Sequence, residues 1–194
     1  HRVSPMSFRS IDVGVVLDMM IHDLDVLLTL AGSEPISIQA AAVSVLGAAE
    51  DVCNARLEFE GGCVANVTAS RLAMKTERKI RIVAEDAYVS INYATKDGMM
   101  LKRTANAQQL EAIIKELAEG ADLSDLDYTE LVKVEPLEID DEDQLQMQLR
   151  DFIKVVKTGG TPLVDVHAGF AAVRTAERIV NAAREHAKKV DLTT

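Results

Sequence analysis

Between residues 36 and 103 the chain reads as six short stretches of strand character, at 36–46, 52–59, 64–71, 78–84, 88–93 and 99–103. The breaks between them are brief and rich in turn formers, among them Glu60-Gly61-Gly62, Glu85-Asp86 and Lys96-Asp97-Gly98. Connections this short fit hairpins, and hairpins build a mainly antiparallel sheet. Within 64–70 the pattern alternates: Asn66, Thr68 and Ser70 face one way, Ala65, Val67 and Ala69 the other.

Helical patterns flank this centre. Residues 12–31 read as a helix stopped by Gly32. A helix at 107–119, an acidic loop and a strand at 131–139 follow the centre, and helices at 141–158 and 166–188 close the chain. Thr158-Gly159-Gly160-Thr161-Pro162 separates the last two. The order helix, sheet, helices predicts an α+β fold, an open and mainly antiparallel sheet with helices packed on one face. The opposite face is then left for a partner. At 194 residues the chain fits a single domain over 1–194.

The formal charge of −10 and the lack of Trp argue against nucleic acid, which wants basic surfaces and stacking platforms. Most of that charge is local, since residues 122–143 hold ten acids against the single base Lys133. The longest uncharged run, 35–49, is too short to span a membrane. A two-residue turn at Gly61-Gly62 pairs Glu60 with Cys63 and sets Cys53 opposite Ser70, so no disulfide is expected and the compartment reads as cytoplasmic. The start at His1 without Met reads as an excised piece or processed product.

Within 15–25 an aliphatic segment carries Asp18, His22 and Asp25, at i, i+4 and i+7 on one helical stripe. Three ionisable groups on one stripe each need water or a partner. Spacing leaves three readings open. A carboxylate one turn from an imidazole suits acid–base chemistry on an alcohol. The trio also offers one nitrogen and two oxygens to a metal, although no second ligand cluster completes a shell. Or the acids are ordinary partners of His22 and of arginines at a domain edge. There is no Gly-x-Gly, no P-loop, no His-Glu-x-x-His, no Cys-x-x-Cys and no Gly-x-Ser-x-Gly. His167 and His186 read as surface or capping residues.

The run Gly14-Val15-Val16-Leu17-Asp18-Met19-Met20-Ile21-His22-Asp23-Leu24-Asp25 resembles the signature of the Gfo/Idh/MocA oxidoreductases. There a glycine-rich approach leads to an Asp, a His four residues on and commonly an Asp three further. The tail is similar too, through 144–153, Gly159-Gly160-Thr161-Pro162-Leu163-Val164, and Gly169 within a long helix. The resemblance implies a two-domain enzyme whose N-terminal Rossmann domain binds NAD or NADP and is missing here. This chain corresponds to the C-terminal α/β domain. It implies that His22 acts as base or acid for the hydroxyl being oxidised, and that Asp18 holds that hydroxyl and tunes His22. The cofactor carries the redox chemistry.

Two departures matter. The family's lysine, in a Glu-Lys-Pro motif, has no counterpart here, and Met20 stands where a glycine is common. Met-Ile-His-Asp looks like the branch that oxidises nucleotide-linked amino sugars such as UDP-N-acetylglucosamine. Arg9, Arg71 and Asp25 are substrate-binding candidates, with a surface ion pair or strand-end cap as the alternative for either arginine. The expected partners are a sugar, cyclitol or nucleotide-sugar substrate and a second copy of the chain across the open sheet face. The isolated chain is expected to be inactive and to bind no cofactor or metal. The competing functions are a non-catalytic dimerisation or interaction domain and a metal-dependent hydrolase.

Overall fold

The computed structural model describes residues 1–6, 12–105, 111, 115, 131–140 and 142–190. The expected helix at 107–119 and most of the acidic loop lie outside the described residues. Two compact units are present, one formed by His1–Arg78 with Glu142–Thr194 and the other by Lys79–Asp141.

In the first unit the strands are β1 (Arg2–Val3), β2 (Pro35–Val43), β3 (Val52–Phe59) and β4 (Val64–Ser70), joined in the order β2-β3-β4-β1. β2, β3 and β4 form an antiparallel meander, and β1 runs parallel to β4. β5 (Glu77–Val83) begins in this unit, where Glu77 and Arg78 pair with β1. The expected α+β architecture, mainly antiparallel, is what forms. A two-residue strand such as β1 is too short to leave a periodic signal, and sequence reasoning missed it.

Alternation decides which face is covered. Cys53, Ala55, Leu57 and Phe59 of β3 point into the core, as do Val67 and Ala69 of β4, while Asn54, Arg56 and Asn66 stay exposed. The covering helices are α1 (Ile21–Ala31) and, after α2 (Gln144–Thr158), the long α3 (Val166–Lys189). Val15, Val16, Met20, Leu24, Ala176 and Ile179 from this layer pack on the sheet's apolar side chains. Each large aliphatic side chain so buried contributes roughly 1.5–3 kcal/mol.

The helix ends follow local chemistry. Asp143 caps α2 by accepting from Gln146 N at 2.8 Å, and Asp165 caps α3 by accepting from His167 N and Ala168 N at 3.0 and 2.9 Å. Gly32 and Gly159 end α1 and α2 in left-handed conformations that favour glycine.

The β3–β4 register differs from the expected one. Glu58 pairs with Val64 and Cys53 with Ala69, and Phe59 N donates to Cys63 O at 2.9 Å. The loop is one residue longer than a two-residue turn, with Gly62 at φ +81 closing it. Cys53 is therefore in the core and Cys63 exposed at the turn, both as free thiols.

The second unit is a simple meander. Lys79–Val83 of β5 pairs with β6 (Ala87–Asn92), β6 with β7 (Asp97–Arg103), and β7 with β8 (Val132–Pro136), all antiparallel. Among the described residues no helix is long and apolar enough to cross a membrane.

Candidate functional site

Of the helix expected over 12–31, residues 15–31 are helical and 12–14 are not, and the element is not uniformly α-helical. Val16–Met20 is a π-helical turn, and α1 continues from Ile21. Asp18 lies in the π-turn and His22 in the first turn of α1. A π-turn carries one extra residue per turn and recurs at functional sites. Nothing in the side-chain pattern of an aliphatic run marks it, so periodicity alone predicted an unbroken α-helix.

Val16, Met20 and Leu24 take the core-facing side of this element and are fully buried. Asp18 and His22 are consequently exposed and Asp25 half-buried. The expected stripe faces away from the core. Among the described residues no hydrogen bond or ion pair engages the side chains of Asp18, His22 or Asp25; only the Asp25 backbone carbonyl accepts, from Thr29 Oγ1 at 2.9 Å. Leu17, Val26 and Leu30 are exposed on the same element, at 42%, 36% and 57%. The face is thus a wall of mixed character, with an unpaired carboxylate and imidazole among aliphatic side chains.

Asp23, next to His22, is held differently. Its Oδ1 accepts from Arg2 Nη2 at 2.7 Å and Arg2 Nε at 3.1 Å. Its Oδ2 is buried without a hydrogen-bond partner among the described residues. Sequence reasoning gave Asp23 no role; the partner lies on β1, the strand it missed.

Of the arginines named as substrate contacts, Arg9 lies outside the described residues. Arg71 is 4% exposed. Its Nε is 3.5 Å from Asp51 Oδ1, and its Nη2 donates to the carbonyl of Val13 just ahead of the π-turn. This is an interior ion pair at the end of β4, close to the strand-end alternative. No group of three or more His, Cys, Asp or Glu among the described residues is arranged to hold a metal ion, so the hydrolase reading gains no ligand set.

A family model described as "Oxidoreductase family, C-terminal alpha/beta domain" matches residues 7–192. Over 93 residues the chain is 38% identical to UDP-N-acetylglucosamine 3-dehydrogenase of Acidithiobacillus ferrooxidans, a stretch covering 48% of this chain and 30% of that protein. A solved structure of the same enzyme superposes with TM-score 0.77 at 26% identity, over 93% of this chain and 52% of the other. Levoglucosan dehydrogenase in complex with NADH gives TM-score 0.72 at 14% identity, over 95% and 55%, a likeness of fold. The chain spans about half the length of these solved relatives.

Proposed function

Because the chain belongs to the Gfo/Idh/MocA oxidoreductase family as a C-terminal α/β domain, we propose that it is the substrate-binding and oligomerisation domain of an NAD(P)-dependent dehydrogenase oxidising a sugar hydroxyl. We take residues 1–194 as one such domain of a longer protein, since its solved relatives extend over nearly twice its length. The observation that carries the reading is the exposed, unpaired Asp18–His22 pair on a partly apolar helix wall.

The residues of this chain fit only one side of a cofactor site. No Gly-x-Gly occurs to cradle a dinucleotide's phosphates. What is offered is a general base toward a hydroxyl, with a carboxylate one turn away. A nicotinamide, when bound, accepts the hydride released from the carbinol carbon. On this side, an imidazole nitrogen of His22 takes the hydroxyl proton as the carbonyl forms. The Asp18 carboxylate, one turn away, stabilises the imidazolium that forms. Leu17, Val26 and Leu30 exclude water from that face. Asp25, further along the element, is placed to meet polar groups of the substrate.

For the substrate, the likeness to UDP-N-acetylglucosamine 3-dehydrogenase supports a nucleotide-linked amino sugar, whereas Met20, fully buried in the core, does not line the wall. The exposed polar sheet face, with Asn54, Arg56 and Asn66, supports self-association, and a cytoplasmic setting suits two free thiols.

The test is an absorbance assay for NAD(P)H, run with the longer protein and with the 194-residue chain. Cofactor reduction is expected with UDP-N-acetylglucosamine or a related nucleotide sugar in the longer protein, and neither turnover nor cofactor binding in the chain alone. No reduction with any sugar or nucleotide sugar would overturn the reading, as would tight NAD(P) binding by the chain alone.

A further inference from the structure

The helical element that carries Asp18 and His22 begins without a cap of its own. Its first residue, Val15, has no side chain able to accept from the orphan N–H groups of a helix start. The acceptors come from the loop before β3, more than thirty residues along the chain. Val15 N donates to the backbone carbonyl of Glu50 at 2.9 Å, and Val16 N donates to Glu50 Oε1 at 3.2 Å. A carboxylate at this end also complements the positive pole of the helix.

The Glu50 carboxylate occupies space that only a glycine leaves open. A Cβ at Gly14 would stand 1.9–2.3 Å from its three carboxylate atoms. A side chain at Gly14 would displace this carboxylate from Val16 N.

Glu50 is itself anchored by its neighbour. Asp51 is 2% exposed, and its Oδ2 accepts from Val45 N at 2.7 Å and Leu46 N at 2.9 Å. Its backbone carbonyl accepts from Arg71 N at 3.0 Å, and Arg71 reaches on to the Val13 carbonyl. The start of the element is thus held on both sides of Gly14, at Val13 O before it and at Val15 N and Val16 N after it.

This matters because Asp18 lies in the opening turn: its N donates to Gly14 O at 3.0 Å, ahead of the π-type bond from Ile21 N to Val16 O. A start that came loose from these partners would free the turn that carries Asp18, one turn ahead of His22. We propose that Glu50, seated on the Asp51–Arg71 pair, is a positioning residue that fixes the start of the helical element and so the turn that carries Asp18 ahead of His22. The inference deepens the reading of Asp18 and His22 as the working pair and rests on it for its importance, though not for its geometry.

The experiment is NMR on the 194-residue chain, following the His22 ring resonances and the amide exchange of residues 15–20 in Glu50→Ala, Glu50→Gln and Gly14→Ala. Glu50→Ala is expected to move the His22 ring signals and to speed exchange at Val16 about fivefold, the scale of a lost cap. Gln keeps an acceptor oxygen, so Glu50→Gln is expected to restore both. Gly14→Ala evicts the flexible carboxylate with Glu50 still present, and should reproduce the Ala phenotype even if Glu50→Ala fails to fold.

Signals unchanged in a folded Glu50→Ala or in Gly14→Ala would overturn the proposal. So would failure of Gln to restore them. A loss of stability that leaves the native state dominant would not by itself move the His22 ring signals. None of these readouts involves turnover, so an unaffected enzyme in the function assay and an unaffected His22 signal here are separate failures.

Discussion

Asp51 and Arg71 are nearly as buried as the aliphatic core beside them, and each satisfies backbone groups as well as the other's charge. Removing one member leaves the other desolvated and unpaired, which costs about 3–5 kcal/mol. Asp51→Ala should therefore lower the denaturation midpoint far more than truncating an exposed acid such as Glu142; an equal effect would show the pair is not desolvated in solution. Burial acts on Cys53 in another way. It pushes the thiol up to about 12, with the nearby Glu50 charge adding to the shift. At pH 8 an alkylating reagent should modify the exposed Cys63 and spare Cys53, and comparable labelling of both by mass spectrometry would contradict this. That Asp18 and His22 share one exposed helical element was legible from spacing. The role of Arg71 was not, because a strand-end arginine looks the same in sequence whether it faces solvent or an interior carboxylate.

At the scale of elements, local signals served best where one element's chemistry is self-contained. Gly32 and Gly159 end helices, Asp143 and Asp165 begin them, and β3 spans the expected residues. They served least where a distant residue supplies the partner, as Glu50 does for the N–H groups of Val15 and Val16, or where a turn is one residue longer than expected, as at Gly62 in the β3–β4 loop. Leu57 sits at the centre of β3 with no exposed surface, so Leu57→Ala should destabilise the first unit by about 2–5 kcal/mol in denaturant unfolding. A cost within that of a surface change would mean the sheet does not pack on its helices as described.

In the second unit, Lys133 and Lys102 hold the Glu135 carboxyl below the usual range through contacts at 2.8 and 3.2 Å. A depressed carboxylate contributes its support above the ordinary glutamate pKa, near 4.3, and loses it as pH falls through the lowered value. Amide protection in the β7–β8 pair, taken relative to the intrinsic exchange rate at each pH, should accordingly fall only in acid below that range. Onset near neutrality would point to another group.

For the whole molecule, the architecture and its family followed from strand order, the Asp18–His22 spacing and the tail, which together span most of the chain. What the sequence could not supply was the neighbourhood of the site wall, since Leu17, Val26 and Leu30 become part of it only when Val16, Met20 and Leu24 turn inward. The polar sheet face leads us to expect self-association, and light scattering on the dilute chain should give a mass above one copy. A monomer at all concentrations would remove oligomerisation from the account.

The central claim is that His22 removes the proton from the hydroxyl being oxidised. Steady-state turnover of the longer protein with His22→Ala tests it most directly. The account predicts a fall of at least about 10²-fold, the scale of losing a general base, with NAD(P) affinity unchanged. Turnover close to the parent's would contradict it.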